Sequence, residues 1–192
     1  MNNDVKSVLI VGVGGQGTLL ASRLLGNAVI SCKYDVKVSE VHGMSQRGGS
    51  VVTYVRYGKH VSSPIIETGE ADVIISFELL EAARYLSFLK KGGTVVVNTQ
   101  QIDPMPVITG AAQYPEDILK KMQEAGIHTV AIDALKLAEE AGSSKAVNVV
   151  LMGVVARHME IDKDIWIQTI KDTVPAKFVD MNLKAFELGF QA

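Results

Sequence analysis

Apolar residues in this chain fall into two patterns that alternate along it. Short unbroken apolar runs at 8–11, 73–77, 94–98 and 129–133 end in glycine or polar residues, as strands buried on both faces do. The segments 36–41 and 50–57 (SVVTYVRY) are rich in β-branched and aromatic residues and predict two more strands. Between them the spacing lengthens to the helical period. Leu20, Leu24 and Ala28 recur every four residues with Leu25 and Val29 beside them, predicting a helix over 17–31. Gly26 lies inside it at a cost of about 1 kcal/mol against alanine, which suggests a close neighbour there. A helix over 78–91 is predicted from Glu78 and Glu81 at its start, Lys90 and Lys91 at its end, and the stop Gly92-Gly93. Pro115 suits the first position of a helix reaching Gly126. Residues 134–141 form another, closed by Gly142.

The almost wholly apolar 147–159 predicts a buried helix capped near Asn148. Asp162 caps a helix through 173, and 175–188 is the last, ending at Gly189. Residues 99–115 hold three of the five prolines and predict an irregular connection with a short strand near Val107. The alternation gives an α/β fold: a three-layer, Rossmann-like, mostly parallel sheet flanked by helices, with a helical C-terminal segment over about 147–192. Residues 1–192 read as a single domain.

Composition narrows the function. Nineteen basic and 21 acidic residues leave a net charge of -2, which argues against nucleic acid as the main partner. The longest apolar stretch, 147–156, is half a membrane span and is broken by Asn148. The start, MNNDVKSVLIVGVGG, lacks the basic region of a signal peptide. A cytoplasmic protein with no membrane partner is expected. One cysteine, Cys32, reads as a small buried residue. Alone it cannot supply an iron–sulfur cluster or a structural zinc site, so no metal site is expected on this chain.

Two polar clusters carry candidate chemistry. Gly12, Gly14 and Gly17 form a G-x-G-x-x-G, with Gly15 and Gln16 inside it, directly after a strand and opening a helix. Such a turn allows close backbone approach, and a helix N-terminus attracts phosphate. An acid some 20 residues on, here Glu40, completes the fingerprint for a dinucleotide. The second cluster, 39–49, contains Glu40, His42, Gln46, Arg47 and Gly48. In a parallel sheet it leaves a strand's carboxyl end beside the glycine turn. Arg47 can clamp a carboxylate or phosphate, and His42 can titrate near neutrality. No serine or cysteine has a base at motif spacing, and no catalytic residue is assigned. His60, His128 and His158 read as structural.

Together, GVGGQGTLLASRLLG and SEVHGMSQRGGSVVTYVRYG resemble the gamma subunit or domain of the 2-oxoacid:ferredoxin oxidoreductases, in particular the small-subunit branch acting on indolepyruvate. SSPII, EADVIISFE, GGTVVVN, Asn148 and the ending NLKAFELG agree, so the resemblance spans essentially the whole chain. It implies a complex that oxidatively decarboxylates a 2-oxoacid, transfers the acyl group to coenzyme A, and reduces ferredoxin. Thiamine diphosphate and 4Fe-4S clusters are expected on a large partner subunit, with coenzyme A as co-substrate and no cofactor bound tightly here. In this reading Gly12, Gly14, Gly15, Gln16, Gly17, Glu40, His42, Gln46, Arg47 and Gly48 line a ligand or an interface. The isolated chain would be inactive, with homodimerisation left open. Two alternatives stand beside it: an NAD(P)-dependent Rossmann oxidoreductase, and a non-enzymatic module binding a nucleotide or acyl-coenzyme A.

Overall fold

A computed structural model describes residues 5–42 and 49–192, with the side chain of His42 outside that description. Among these residues, six strands form one sheet: β1 (Lys6–Val13), β2 (Asp35–His42), β3 (Ser50–Gly58), β4 (Ala71–Ser76), β5 (Leu89–Asn98) and β6 (His128–Ile132). Eight α-helices accompany them: α1 (Thr18–Ser31), α2 (Leu79–Arg84), α3 (Met105–Ile108), α4 (Ile118–Glu124), α5 (Ala134–Ala141), α6 (Val147–Arg157), α7 (Lys163–Thr173) and α8 (Val179–Gln191). The strand order is β2-β3-β1-β4-β5-β6. β1, β4, β5 and β6 pair in parallel, while β3 runs antiparallel to both β1 and β2. Five strands therefore share one direction, as a mostly parallel sheet requires, and β3 alone is reversed.

Strand alternation feeds two cores. From β1, Val8 and Ile10 point into the larger core, which holds the buried side chains of α1, α5, α6, α7 and α8. Leu9 and Val11 point the other way, into a smaller core with Leu79 and Ala82 of α2 and Ile118 and Met122 of α4. The continuous apolar runs of the central strands follow from this two-sided burial.

Several local expectations are corrected. The predicted helix over 78–91 ends at Arg84; a short 3₁₀ turn follows, and β5 begins at Leu89, so Lys90, Lys91, Gly92 and Gly93 belong to a strand. Lys90 forms an ion pair with Asp72 of β4, so Lys90 answers a neighbouring strand and not a helix end. The connection after β5 carries the single helical turn α3 where a short strand near Val107 was predicted. The helix predicted from Pro115 begins at Ile118, after Asp117 adopts a left-handed backbone. Asn148 lies inside the first turn of α6, whose cap position is Ala146. α8 continues through Gly189 to Gln191, because Gly189 is a contact surface and not a stop. Cys32 is half-buried at the end of α1. Among the described residues, and apart from its chain neighbours and its own helix backbone, nothing lies within 4 Å of a Cβ built on Gly26, so no close neighbour there explains that glycine. Among the described residues no helix is long and apolar enough to cross a membrane.

Candidate functional site

The glycine turn leaves the carboxyl end of β1, near the middle of the sheet. Gly12 is there because its surroundings are full: a Cβ would lie 2.9 Å from Gln16 Oε1 and 3.0 Å from Phe77 Cβ. Gly17 caps α1 in the left-handed region, at φ 85°, and a Cβ would meet Asn148 Nδ2 at 2.6 Å. Asn148, buried in α6, donates from that Nδ2 to the Gly17 carbonyl at 3.2 Å. The late apolar helix is thus fastened to the phosphate-type turn across 131 residues of sequence.

Gln16 is a clasp within the protein. Its Oε1 accepts the Val13 N–H at 2.7 Å and its Nε2 donates to the Phe77 carbonyl at 3.1 Å. The Gly14 N–H donates to the Gly49 carbonyl at 2.9 Å, which brings the return end of the second polar cluster against the glycine turn, as the sequence predicts. The N–H groups of Gly15, Gly17 and Thr18 have no acceptor among the described residues. They form the positive end of the α1 dipole.

Asn98, the last residue of β5 and fully buried, extends the network. Its Nδ2 donates to the same Phe77 carbonyl at 3.2 Å and to Gln100 Oε1 at 3.3 Å, and its Oδ1 accepts the Ala134 N–H at 3.1 Å. One carbonyl beyond β4 therefore gathers the glycine turn, β5 and, through Asn98, the start of α5. Beside this network lies a cleft of about 460 Å³ lined by Gly15, Gln16, Gly17, Gln100, Ile102, Leu135, Ser144, Lys145 and Val147. Its position at the carboxyl ends of the strands is where open α/β sheets bind ligands. Amide groups and the Lys145 ammonium suit an anion, and Ile102, Leu135 and Val147 suit an apolar group.

Glu40 is placed elsewhere. The reversed strand β3 separates β2 from β1, so Glu40 is two strand spacings, roughly 10 Å, from the strand that carries the turn. It accepts the Ser22 Oγ–H of α1 at 2.9 Å and lines a separate groove with Leu19, Arg23, Gly26, Ile30, Val36 and Val38. The Rossmann arrangement of an acid on the strand adjoining the glycine turn is absent, which removes the geometric basis for ordinary dinucleotide binding. Gln46, Arg47, Gly48 and the His42 side chain lie outside the described residues. Among the described residues, no group of three or more His, Cys, Asp or Glu is arranged to hold a metal ion.

The residues missed from the sequence are Asn98, Gln100, Ile102, Ser144 and Lys145. Asn98 had a visible signal, a polar residue closing a buried apolar run. The others come from irregular segments whose folding back is decided by tertiary contacts.

The family to which this site belongs follows from comparison. Residues 7–192 match the model for pyruvate ferredoxin/flavodoxin oxidoreductase, and the chain belongs to that family. Within it, the chain is 47% identical over 191 residues to the indolepyruvate oxidoreductase subunit IorB of Thermococcus kodakarensis, covering 97% of this chain and 95% of that protein. Its fold is that of the gamma subunit of a keto/oxoacid ferredoxin oxidoreductase from Geobacter sulfurreducens, with a TM-score of 0.72 at 22% identity, covering 97% of this chain and 96% of that one. It is equally similar, at TM-score 0.72 and 19% identity, to 2-oxoglutarate:ferredoxin oxidoreductase from Magnetococcus marinus, solved with 2-oxoglutarate, coenzyme A and succinyl-CoA bound. That match covers 97% of this chain but 30% of the other, so the same unit there forms part of a longer polypeptide.

Proposed function

We propose that this chain is the small subunit of a 2-oxoacid:ferredoxin oxidoreductase acting on indolepyruvate or a related arylpyruvate. The observation that carries the reading is the 47% identity to an indolepyruvate oxidoreductase subunit across 97% of the chain. The complex converts the 2-oxoacid, coenzyme A and two oxidised ferredoxins into the acyl-coenzyme A, carbon dioxide, one proton and two singly reduced ferredoxins. In this reading the protein acts in the cytoplasm.

Division of labour follows from donor chemistry. A 4Fe-4S cluster takes four thiolates, and this chain has Cys32 alone. Burial pushes that thiol's pKa up, away from the thiolate. The residues present do not fit a cluster, which supports placing the clusters on a large partner subunit; thiamine diphosphate is assigned there on the family resemblance alone. This chain supplies a folded wall. The amides of Gly15, Gly17 and Thr18 with the Lys145 ammonium attract an anionic group, while Ile102, Leu135 and Val147 exclude water. That combination suits part of the coenzyme A approach. Gly12, Gly14 and Gln16 hold the wall's shape. His42, Gln46, Arg47 and Gly48, in the segment that returns at Gly49, are assigned to contact with ligand or partner, and so is Glu40.

The test is reconstitution. Co-expressed with a large subunit of an indolepyruvate:ferredoxin oxidoreductase from the same organism, the chain should give a complex that reduces ferredoxin only when both indolepyruvate and coenzyme A are present. The isolated chain should be colourless and inactive. Turnover by the isolated chain, or micromolar NADH binding by calorimetry that Glu40→Ala abolishes, would overturn the reading.

A further inference from the structure

The start of α2 carries two acids three residues apart, Glu78 at the cap and Glu81 in the first turn, and both are almost completely buried, at 1% and 2% exposure. Their side chains serve different ends. Glu81 accepts the Ser50 Oγ–H at 2.5 Å and pairs with Arg84 at 2.7 Å. No ion pair joins Glu78 to a basic side chain among the described residues. It is satisfied by three neutral donors instead. Oε2 accepts the Glu81 N–H at 2.9 Å and so caps the helix. Oε1 accepts the Ile102 N–H at 3.1 Å and the Tyr114 hydroxyl at 2.5 Å.

Capping uses one oxygen. The second oxygen, taken out of water at a cost that only good hydrogen bonds offset, holds the long connection after β5. Tyr114 OH in turn accepts the Leu80 N–H at 3.0 Å, and the Leu79 N–H donates to the Gln100 carbonyl at 3.1 Å. The connection is therefore fastened to α2 at 100, 102 and 114, near both of its ends. Between these points Met105 and Ile108 stand exposed, so the excursion has little apolar anchoring of its own. Gln100 and Ile102, at the fastened end, form one wall of the 460 Å³ cleft.

We infer that Glu78 is a positioning residue: through Ile102 and Tyr114 its carboxylate sets the outer wall of the cleft, and so governs how tightly the cleft holds its ligand without entering the chemistry. The inference rests on the reading of this cleft as part of the coenzyme A approach. A glutamine at 78 cannot reproduce the arrangement, because its NH₂ would face a donor on one side or the other. Glu78→Gln loosens the excursion in either orientation: with its NH₂ toward Ile102 it loses the two bonds directly, and with its NH₂ toward Glu81 it loses the cap that holds the Leu79 and Leu80 N–H groups against Gln100 and Tyr114. Tyr114→Phe loses the tyrosine bond alone while stranding the Leu80 N–H.

The experiment uses the assembled complex, with each variant small subunit paired with the native large subunit. Amide hydrogen exchange over 99–117 is measured beside kcat and the KM values for coenzyme A and indolepyruvate. Glu78→Gln and Tyr114→Phe should both speed exchange in 99–117. Each should raise KM for coenzyme A on the order of tenfold, the equivalent of one charge-assisted hydrogen bond. The kcat and the KM for indolepyruvate should stay within about twofold. Glu81→Gln should leave exchange in 99–117 unchanged, since its side chain touches β3 and Arg84. Native exchange in a folded Glu78→Gln subunit, or equal loosening by Glu81→Gln, would overturn the positioning role. Lys145→Ala separates the two readings. If it raises KM for coenzyme A and Glu78→Gln does not, the positioning proposal alone falls. If neither moves that KM, the cleft is not on the coenzyme's path and both fall.

Discussion

The two faces of the sheet are covered in different ways. On one face α6 and α8 meet backbone to backbone: a Cβ on Gly153 would lie 2.2 Å from the Phe186 carbonyl oxygen, and one on Gly189 would lie 2.0 Å from that of Val150. Around this seam, Trp166, Phe186, Leu151 and Met152 are fully buried, and Trp166, Phe186 and Phe190 stack in a row at centroid distances of 6.2 and 5.9 Å. Among the described residues, the α-helices that bury side chains on the opposite face are the six-residue α2 and the seven-residue α4, joined by Ile66 and other loop residues. There, buried carboxylates, Tyr114 and carbonyl contacts do much of the holding. The apolar seam resists deformation, since close-packed interiors have no slack. The polar side fixes particular backbone atoms in particular places, which a cleft wall requires.

The sharpest way to break the contrast is at the seam. Gly189→Ala should destabilise the protein by roughly 3 kcal/mol or more, because the methyl group collides with backbone and not with a mobile side-chain end. A melting temperature close to native would show that α6 and α8 are separated in solution. Next in size is Asn98→Leu at the polar end of the sheet. It strands the buried Ala134 N–H and removes one of two donors to Phe77 O, at about 2–3 kcal/mol in denaturant unfolding. An effect well below 1 kcal/mol would mean that the network does not hold the strand ends together.

Alkaline titration sharpens the same comparison. Burial, the bond to Glu78 and that residue's charge raise the Tyr114 pKa well above its ordinary value near 10, and burial does the same to Tyr57. Both phenols stay protonated in the folded state when the unfolded chain would release them. Their contribution is therefore complete below about pH 10 and is lost as pH rises from there toward the folded values. Stability measured by denaturant from pH 8 to 11 should fall above pH 10, and Tyr114→Phe should flatten the fall. An unchanged slope would remove Tyr114 from the account.

The smallest effect belongs to the surface of the apolar side. Lys163 pairs with Glu187 at 2.7 Å and sits over the Phe190 ring at 4.5 Å. Its hydrogen bond holds the Glu187 carboxyl below its ordinary value near 4.5, so this contribution is present above that pH and fades as pH falls through the folded value. Lys163→Ala should cost less than about 1 kcal/mol at neutral pH in thermal unfolding. A larger loss would show that the seam depends on its polar cover.

Much of the architecture was legible in one dimension. Central strands are apolar on both faces, so β1, β4 and β5 appear as unbroken runs, and α6 appears as a helix apolar all round. The glycine turn was also legible, because a tight turn follows from local composition, and so was the placing of the 39–49 cluster beside it at the strand ends; that Gly14 meets Gly49 was decided by the fold. The failures have a common cause. Lys90, Lys91, Gly92 and Gly93 look like a helix end only until Asp72 of the next strand is present to pair with Lys90. Gly189 looks like a stop only until Val150 lies against it.

The site divides along the same line. The glycines and Gln16 were visible because a tight turn restricts its own residues. Glu40 also looked right by spacing, but spacing cannot tell whether a third strand inserts between two others. β3 does insert, and its place between β2 and β1 leaves the acid at a different groove. The roles of Glu78, Asn98 and Tyr114 could not be read locally, since a carboxylate in a first helical turn looks the same whether it faces water or a buried hydroxyl 36 residues away. From the amino-acid order alone came the α/β class, the family and the want of cluster ligands, because periodicity, motif and residue count are properties of the chain itself. Only the folded molecule decided which polar groups meet, because those contacts join segments whose separation along the chain carries no information about their distance in space.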